Sequence, residues 1–173
     1  WAAEPGEYYH SFDGSYGGLW RRNGRPPQLL TGVGFSAQGK FEGSYYRRTT
    51  ESHAPDLAWM FEGIEDQEIL GDFGFSGGGA AGFELDRADV RLGTPEEVRV
   101  VASSENHTSS FVLVPEEMLT HITNWPGEEE QQKLIRSDIV YFRTPSGGEV
   151  FSTGSITFCG SLPWNDFDNN ISR

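Results

Sequence analysis

The chain is poor in cysteine, in positive charge and in long apolar runs, and each shortage excludes something. One cysteine, Cys159, in 173 residues rules out an internal disulfide framework and fits a reducing, cytoplasmic setting. Thirteen basic residues face 26 acidic ones, a formal charge of −13 at pH 7. Nucleic acid and anionic membrane are therefore poor partners, because neutralising phosphate needs the opposite sign. No apolar run approaches the ~20 residues of a membrane-spanning helix, and no basic-then-apolar leader precedes Trp1. An initiating Met is missing too, and Asp168-Asn-Asn-Ile-Ser172 stands just where an N-capped helix should begin. The expectation is a single domain over residues 1–173, cut from a longer chain at both ends.

What is present reads as an α/β domain. Residues 1–50 mix Tyr8, Tyr9, Phe12, Tyr16, Trp20, Tyr45 and Tyr46 with Gly, Arg and Pro. No helical or strand period lasts there, so a long irregular part tied down by aromatic packing is expected. Short apolar runs predict strands at 57–64, 97–102, 138–143 and 149–158, the last two joined by a hairpin at Thr144-Pro-Ser-Gly-Gly148. Residues 111–125 take on helical spacing in their second half, with Pro115 at the first position and Glu116 and Glu117 in the first turn. Gly77-Gly-Gly-Ala-Ala-Gly82 is a literal GxGxxG, but it lacks a convincing strand before it and a helix after it. Close backbone packing is the reading there, not a dinucleotide site.

The chemistry-bearing residues are few. Glu105 and His107 follow the strand at 97–102 in a loop of small polar residues, where a carboxylate ligand and a proton-transferring imidazole could stand; a solvated turn is the alternative. Tyr16 precedes Gly17-Gly18, whose lack of side chains permits close approach of another group; its phenol could coordinate a hard metal or merely pack beside Trp20. His10 could line the same pocket. Asn165, Asp166, Asp168, Asn169 and Asn170 form a polar cluster after the last strand, with capping expected of Asp168 or Asn169. Cys159 reads as a buried structural thiol, because Cys159-Gly-Ser161 is not an obvious nucleophile elbow.

Seven segments carry a resemblance that runs almost end to end. They are Glu7-Tyr-Tyr-His-Ser11, Tyr16-Gly-Gly-Leu-Trp20, Gly32-Val-Gly-Phe-Ser-Ala-Gln-Gly39, Phe61-Glu-Gly-Ile64, Gly77-Gly-Gly-Ala-Ala-Gly82, Ser103-Ser-Glu-Asn-His107 and the stretch from Val150 to Arg173. Together they resemble the large (β) subunit of N,N-dimethylformamidase and its relatives. The resemblance implies a mixed sheet with flanking helices in a three-layer, glutamine-amidotransferase-like domain. It also implies hydrolysis of a small amide, of the dimethylformamide to dimethylamine and formate type, at a mononuclear ferric iron held by two tyrosines and one glutamate. Tyr16 then looks like one tyrosine ligand and Glu105 like the carboxylate; a modest shift of alignment would bring Glu96 or Glu97 to that place instead. The second tyrosine belongs upstream of Tyr8. His107 is the candidate for proton transfer to the departing amine. A small subunit and a homo-oligomer of the large subunit are the implied partners. Two other functions stay open: a non-catalytic carbohydrate or small-molecule binding domain with aromatic stacking platforms, and a metal-independent cysteine amidase using Cys159.

Overall fold

The longest element is one that the composition hides. The structure, a computed structural model, describes Gly14 and residues 19–120, 123–124 and 126–173, and of Asn23, Leu119 and Thr120 the backbone alone. A 3-10 turn at Trp20–Asn23 and a short helix α1 (Gln28–Thr31) lead into β1, a 15-residue strand over Gly34–Arg48. The irregular reading of residues 1–50 therefore fails over this stretch. Its burial pattern does not alternate large apolar with polar residues: Gly34, Ser36, Ala37, Ser44 and Tyr46 are the buried members near its two ends.

Five more strands follow: β2 (Ala81–Arg87), β3 (Arg99–Glu105), β4 (Val112–Leu113), β5 (Asp138–Arg143) and β6 (Glu149–Ser152). They form one sheet of order β2-β1-β3-β5-β6, with β4 also on β1. Every described ladder between them is antiparallel, so the mixed sheet expected of the chain is corrected to an antiparallel one. The β1 strand changes partners along its length. Residues 34–44 pair with β2, Ala37 and Gln38 meet β4, and Tyr45 to Arg48 pair with β3. Between Gln38 and Gly43 the register with β2 slips, which curls the sheet. At Gly43 the backbone lies so close to Gly79 that a Cβ would collide with the Gly79 carbonyl. The run from Gly77 to Gly82 is thus a close-packing device, as expected, and a strand, not a helix, follows it.

Two apolar clusters sit on this sheet. Tyr46, Leu57, Leu70, Val101, Ile139 and Phe158 belong to the larger; Ala37, Leu85, Phe111 and Leu113 form the smaller, against which Leu134 and Ile135 pack. The helices are short: α2 (Pro115–Thr120), α3 (Glu128–Leu134) and α4 (Phe158–Ser161). Pro115 opens α2 as expected. Among the described residues no helix is long and apolar enough to cross a membrane.

Three sequence expectations are corrected. Residues 57–64 are not a strand: Pro55–Phe61 is a 3-10 helix that starts on Pro55 and buries Leu57 at 1 % exposure while Trp59 stays 62 % exposed. Residues 149–158 are a strand only to Ser152, because Gly154 turns at φ 65°. Cys159 is exposed on α4, not buried.

Candidate functional site

The β3 strand runs three residues further than the apolar pattern reached, and that extension builds the site. Its last residues, Ser103, Ser104 and Glu105, still pair with Arg47, Tyr46 and Tyr45 of β1. Alternation then turns Ser104 inward and Glu105 outward. Glu105 is therefore a strand-end residue, not a loop residue. Its Oε1 is held by the Nε of Arg47, and both side chains remain partly exposed. Immediately after it, Asn106 takes a left-handed φ of 61° and reverses the chain.

That reversal folds His107 back over Ser104. His107 Nε2 lies 2.6 Å from Ser104 Oγ, and the ring rests 4.7 Å, centroid to centroid, from Phe111. Its Nδ1 is buried and has no hydrogen-bond partner among the described residues. Burial holds the imidazole down to about 4, against a smaller opposing pull from the Glu42 carboxylate. His107 is accordingly neutral at neutral pH.

Behind Ser104 runs a buried polar chain. The Ser137 amide donates to Ser104 Oγ at 2.7 Å, the Ser137 hydroxyl meets Tyr46 Oη at 2.9 Å, and Tyr46 Oη donates to the Thr153 carbonyl at 2.7 Å. Burial pushes the Tyr46 phenol well above its ordinary range, so it stays a protonated donor. Beside it Asp138, fully buried, accepts from Ser103 Oγ at 2.6 Å, Ala88 N at 2.9 Å and Arg136 Nε at 3.0 Å. Ser104, Ser137 and Tyr46 were not read as site residues from the sequence. The available signal was the alternation of Ser103-Ser-Glu105, which continues the strand.

In front of His107 opens a cavity of about 690 Å³, lined by Ser104, Glu105, His107, Gln132, Lys133 and Arg136 among others. Its second wall is α3 and the turn after it. The chamber is large enough for a small polar substrate and carries both signs of charge. Among the described residues no group of three or more His, Cys, Asp or Glu side chains is placed to share a metal ion.

Tyr16 and His10 lie outside the described residues, so the structure brings Glu105 and His107 to one site and leaves those two unplaced. Glu96 and Glu97 precede β3 while Glu105 ends it, so the rival carboxylates sit at opposite ends of one strand. In the C-terminal cluster Asn169 does the pinning: its Nδ2 donates to the Leu162 and Trp164 carbonyls and its Oδ1 accepts from the amides of Ile171 and Ser172. Asp168 instead pairs with Arg173. Cys159 belongs to no cluster of three His, Cys, Asp or Glu side chains among the described residues.

Comparison with known proteins places this geometry. Residues 1–170 match the family model described as N,N-dimethylformamidase beta subunit-like, C-terminal. The N,N-dimethylformamidase beta subunits of an Alcaligenes species and of Paracoccus aminophilus are each 41 % identical to the chain over all 173 residues. In both cases the chain spans 22 % of the relative's length.

Proposed function

This chain belongs to the N,N-dimethylformamidase beta subunit-like family, and on that premise we propose that the parent protein hydrolyses a small amide of the N,N-dimethylformamide type. The observation that carries the reading is the match over the whole chain, with His107 held neutral at the mouth of the cavity. Water adds to the amide carbonyl carbon, a proton passes from that water to the leaving nitrogen, and the C–N bond breaks to give formate and dimethylamine. His107 is the proposed proton carrier. Being neutral it accepts first, from the attacking water, and returns the proton to the departing amine. That role requires the ring to leave Ser104, because Nε2 is engaged there and Nδ1 is buried.

The donor types that the family implies, phenolate and carboxylate oxygens, fit a ferric ion in kind. Tyr16, Glu105 and a tyrosine from outside this chain would hold it, with Glu105 giving up Arg47. Bound there, iron supplies Lewis acidity toward the carbonyl oxygen or the water. Glu105 is the member of that set within the described residues, and its placement at a strand end beside the cavity supports the reading. The glutamine-amidotransferase-like, three-layer arrangement is proposed for the parent subunit. The relatives' name, beta subunit, supports a second kind of subunit; that it is a small subunit, and that the large subunit forms a homo-oligomer, is part of the proposal. A cytoplasmic location is proposed with it.

The test uses the intact parent protein. Iron-replete expression should give one iron per chain, a visible phenolate-to-iron band and formate release from N,N-dimethylformamide. Protein that is colourless, iron-free and inactive would overturn the proposal. A second reading has its own observation: the exposed Phe75 ring lies 5.1 Å from Trp164, on whose ring Phe73 stacks at 5.9 Å. That is a stacking platform for a binding domain. Amide hydrolysis by the intact protein that Glu105→Gln and His107→Ala abolish decides for the enzyme; no hydrolysis by the intact protein, with small-molecule binding that Phe75→Ala and Trp164→Ala abolish, decides for the platform.

A further inference from the structure

The structure holds an ion network that neither the family match nor the proposed chemistry uses. Glu117 on α2 is fully buried, and so is Arg87 on β2, at 1 % side-chain exposure. Arg87 Nη2 donates to Glu117 Oε2 at 3.1 Å and to Asp89 at 2.7 Å, and its Nη1 lies at ion-pair distance, 3.0 Å, from Glu117 Oε1. Asp89 in turn takes Arg91 at 2.7 Å. At the other end, Arg21 Nη1 donates to Glu117 Oε1 at 2.7 Å, with the Arg21 side chain 7 % exposed. Charges therefore alternate along Arg21, Glu117, Arg87, Asp89 and Arg91, from the turn at Trp20–Asn23 to the sheet. Next to this, Arg22 pairs with Glu116 at 3.3 Å.

The sequence position of Arg21 gives the network its meaning. It stands five residues after Tyr16, just past Tyr16-Gly-Gly-Leu-Trp20. Among the described residues, the turn at Trp20–Asn23 is otherwise tied to α2 by Arg22 on Glu116 and by the Leu19 amide, which reaches Glu116 Oε1 at 3.5 Å. Its amides bond locally, Arg22 to Leu19, Gly24 to Arg21 and Arg25 to Trp20, and Trp20 is 55 % exposed. Four residues of 3-10 helix do not hold themselves. A buried carboxylate shared by two guanidinium groups does hold them, because withdrawing either cation leaves an uncompensated charge inside the protein.

We infer that Glu117 is a positioning residue, whose buried carboxylate grips Arg21 and so fastens to the sheet the turn at Trp20–Asn23, which follows Tyr16 in the chain. The inference rests on the reading of Tyr16 as an iron ligand only for its consequence in the site; the fastening stands on the network alone.

The experiment is hydrogen exchange on the intact subunit, comparing wild type, Arg21→Met, Glu117→Gln and Tyr16→Phe, with iron content measured on the same samples. Arg21→Met leaves the Arg87–Glu117 pair in place and so keeps the fold. It should speed exchange at the amides of Arg22, Gly24 and Arg25 by about tenfold or more while leaving β3 and β5 unchanged, and it should lower iron occupancy. Glu117→Gln also strands Arg87 and should speed exchange across the sheet as well as in the turn, so the decision rests on Arg21→Met. Unchanged exchange at those three amides in Arg21→Met, or an equal rise across the sheet, would overturn the fastening. Tyr16→Phe should lose iron with exchange at residues 22–25 unaltered. If Tyr16→Phe keeps its iron, the ligand reading fails and the exchange result still decides the fastening. If Tyr16→Phe loses iron while Arg21→Met opens the turn and keeps full iron, positioning is refuted.

Discussion

His107 and Asp86 give the protein two buried titrations that pull its acid stability in opposite directions, and separating them tests the electrostatics of the sheet. Burial lowers His107 from 6.5 to about 4, with Glu42 opposing. Burial raises Asp86 from 3.8 to about 6, and the neighbouring Glu84 carboxylate adds to the rise. For His107 the unfolded chain binds the proton more readily, so stability is lost as pH falls from 6.5 through about 4. For Asp86 the folded chain keeps a proton that the unfolded chain releases, so its contribution is present below 3.8 and is lost as pH rises through about 6. At 1.36 kcal/mol per pH unit, each amounts to roughly 3 kcal/mol. In the wild type they nearly cancel.

The substitutions expose them one at a time. In His107→Gln the Asp86 titration is unopposed, and stability should fall by about 3 kcal/mol from pH 4 to pH 6 relative to wild type. In Asp86→Asn it should rise by a similar amount over pH 4 to 6.5. Asp89, held near 2 by Arg91 and Arg87 against its burial, titrates below this window. Because Glu117 is also lowered, its loss falls on the acid side of 4.5. Urea unfolding followed by tryptophan fluorescence, at several pH values in the window, gives the slopes; imidazole NMR gives the His107 titration directly. Variants whose pH slopes agree with each other within about 0.5 kcal/mol would refute the reasoning.

Three further outcomes are expected. Tyr46→Phe takes from the Thr153 carbonyl its shorter buried donor and from the Ser137 hydroxyl a partner, and should cost about 1–3 kcal/mol in urea unfolding, with the His107 titration unmoved because burial sets it and the Ser137 amide still donates to Ser104; unchanged stability would count against the chain of contacts. Cys159→Ala, at an exposed position, should change stability by less than about 0.5 kcal/mol and keep amide hydrolysis, whereas a folded, iron-loaded but inactive variant would revive the cysteine amidase. Glu105→Gln should strip iron and activity from the intact protein while Glu97→Gln leaves both, and an exchange of those results would move the ligand to the other end of β3.

The elements legible in the sequence were those whose burial rests on large apolar side chains. The β5 strand has five consecutive buried residues, Asp138 to Phe142, and its hairpin to β6 closes where Thr144-Pro-Ser-Gly-Gly148 stands. By contrast, β1 buries Ser36, Ala37 and Ser44 as well as Tyr46, and hides Ser36 Oγ by donating to the Leu85 carbonyl at 3.1 Å. A hydrophobic pattern cannot register a strand built that way. The opposite error occurred at Pro55–Phe61, where an unbroken apolar run carries no period and the local proline chose a helical turn.

The site divides along the same line, between what neighbours in sequence can show and what only folding brings together. Glu105 and His107 are two residues apart, so their shared loop was visible; the partner that engages the imidazole, Ser104, was in the same motif and needed only the strand to run on to Glu105. Arg21 and Glu117 are 96 positions apart, and Arg87 and Glu117 are 30 apart. In the sequence Glu117 reads as a helix first-turn acid, worth a few tenths of a kcal/mol to about 1 when exposed. Buried between two guanidinium groups, the same carboxylate has an interaction whose loss costs about 3–5 kcal/mol. The difference is set by desolvation, which composition does not carry. It follows that the residues deciding where the turn at Trp20–Asn23 sits should be sought among charged side chains that the fold hides, and not in the glycines and aromatics that mark the motif before it.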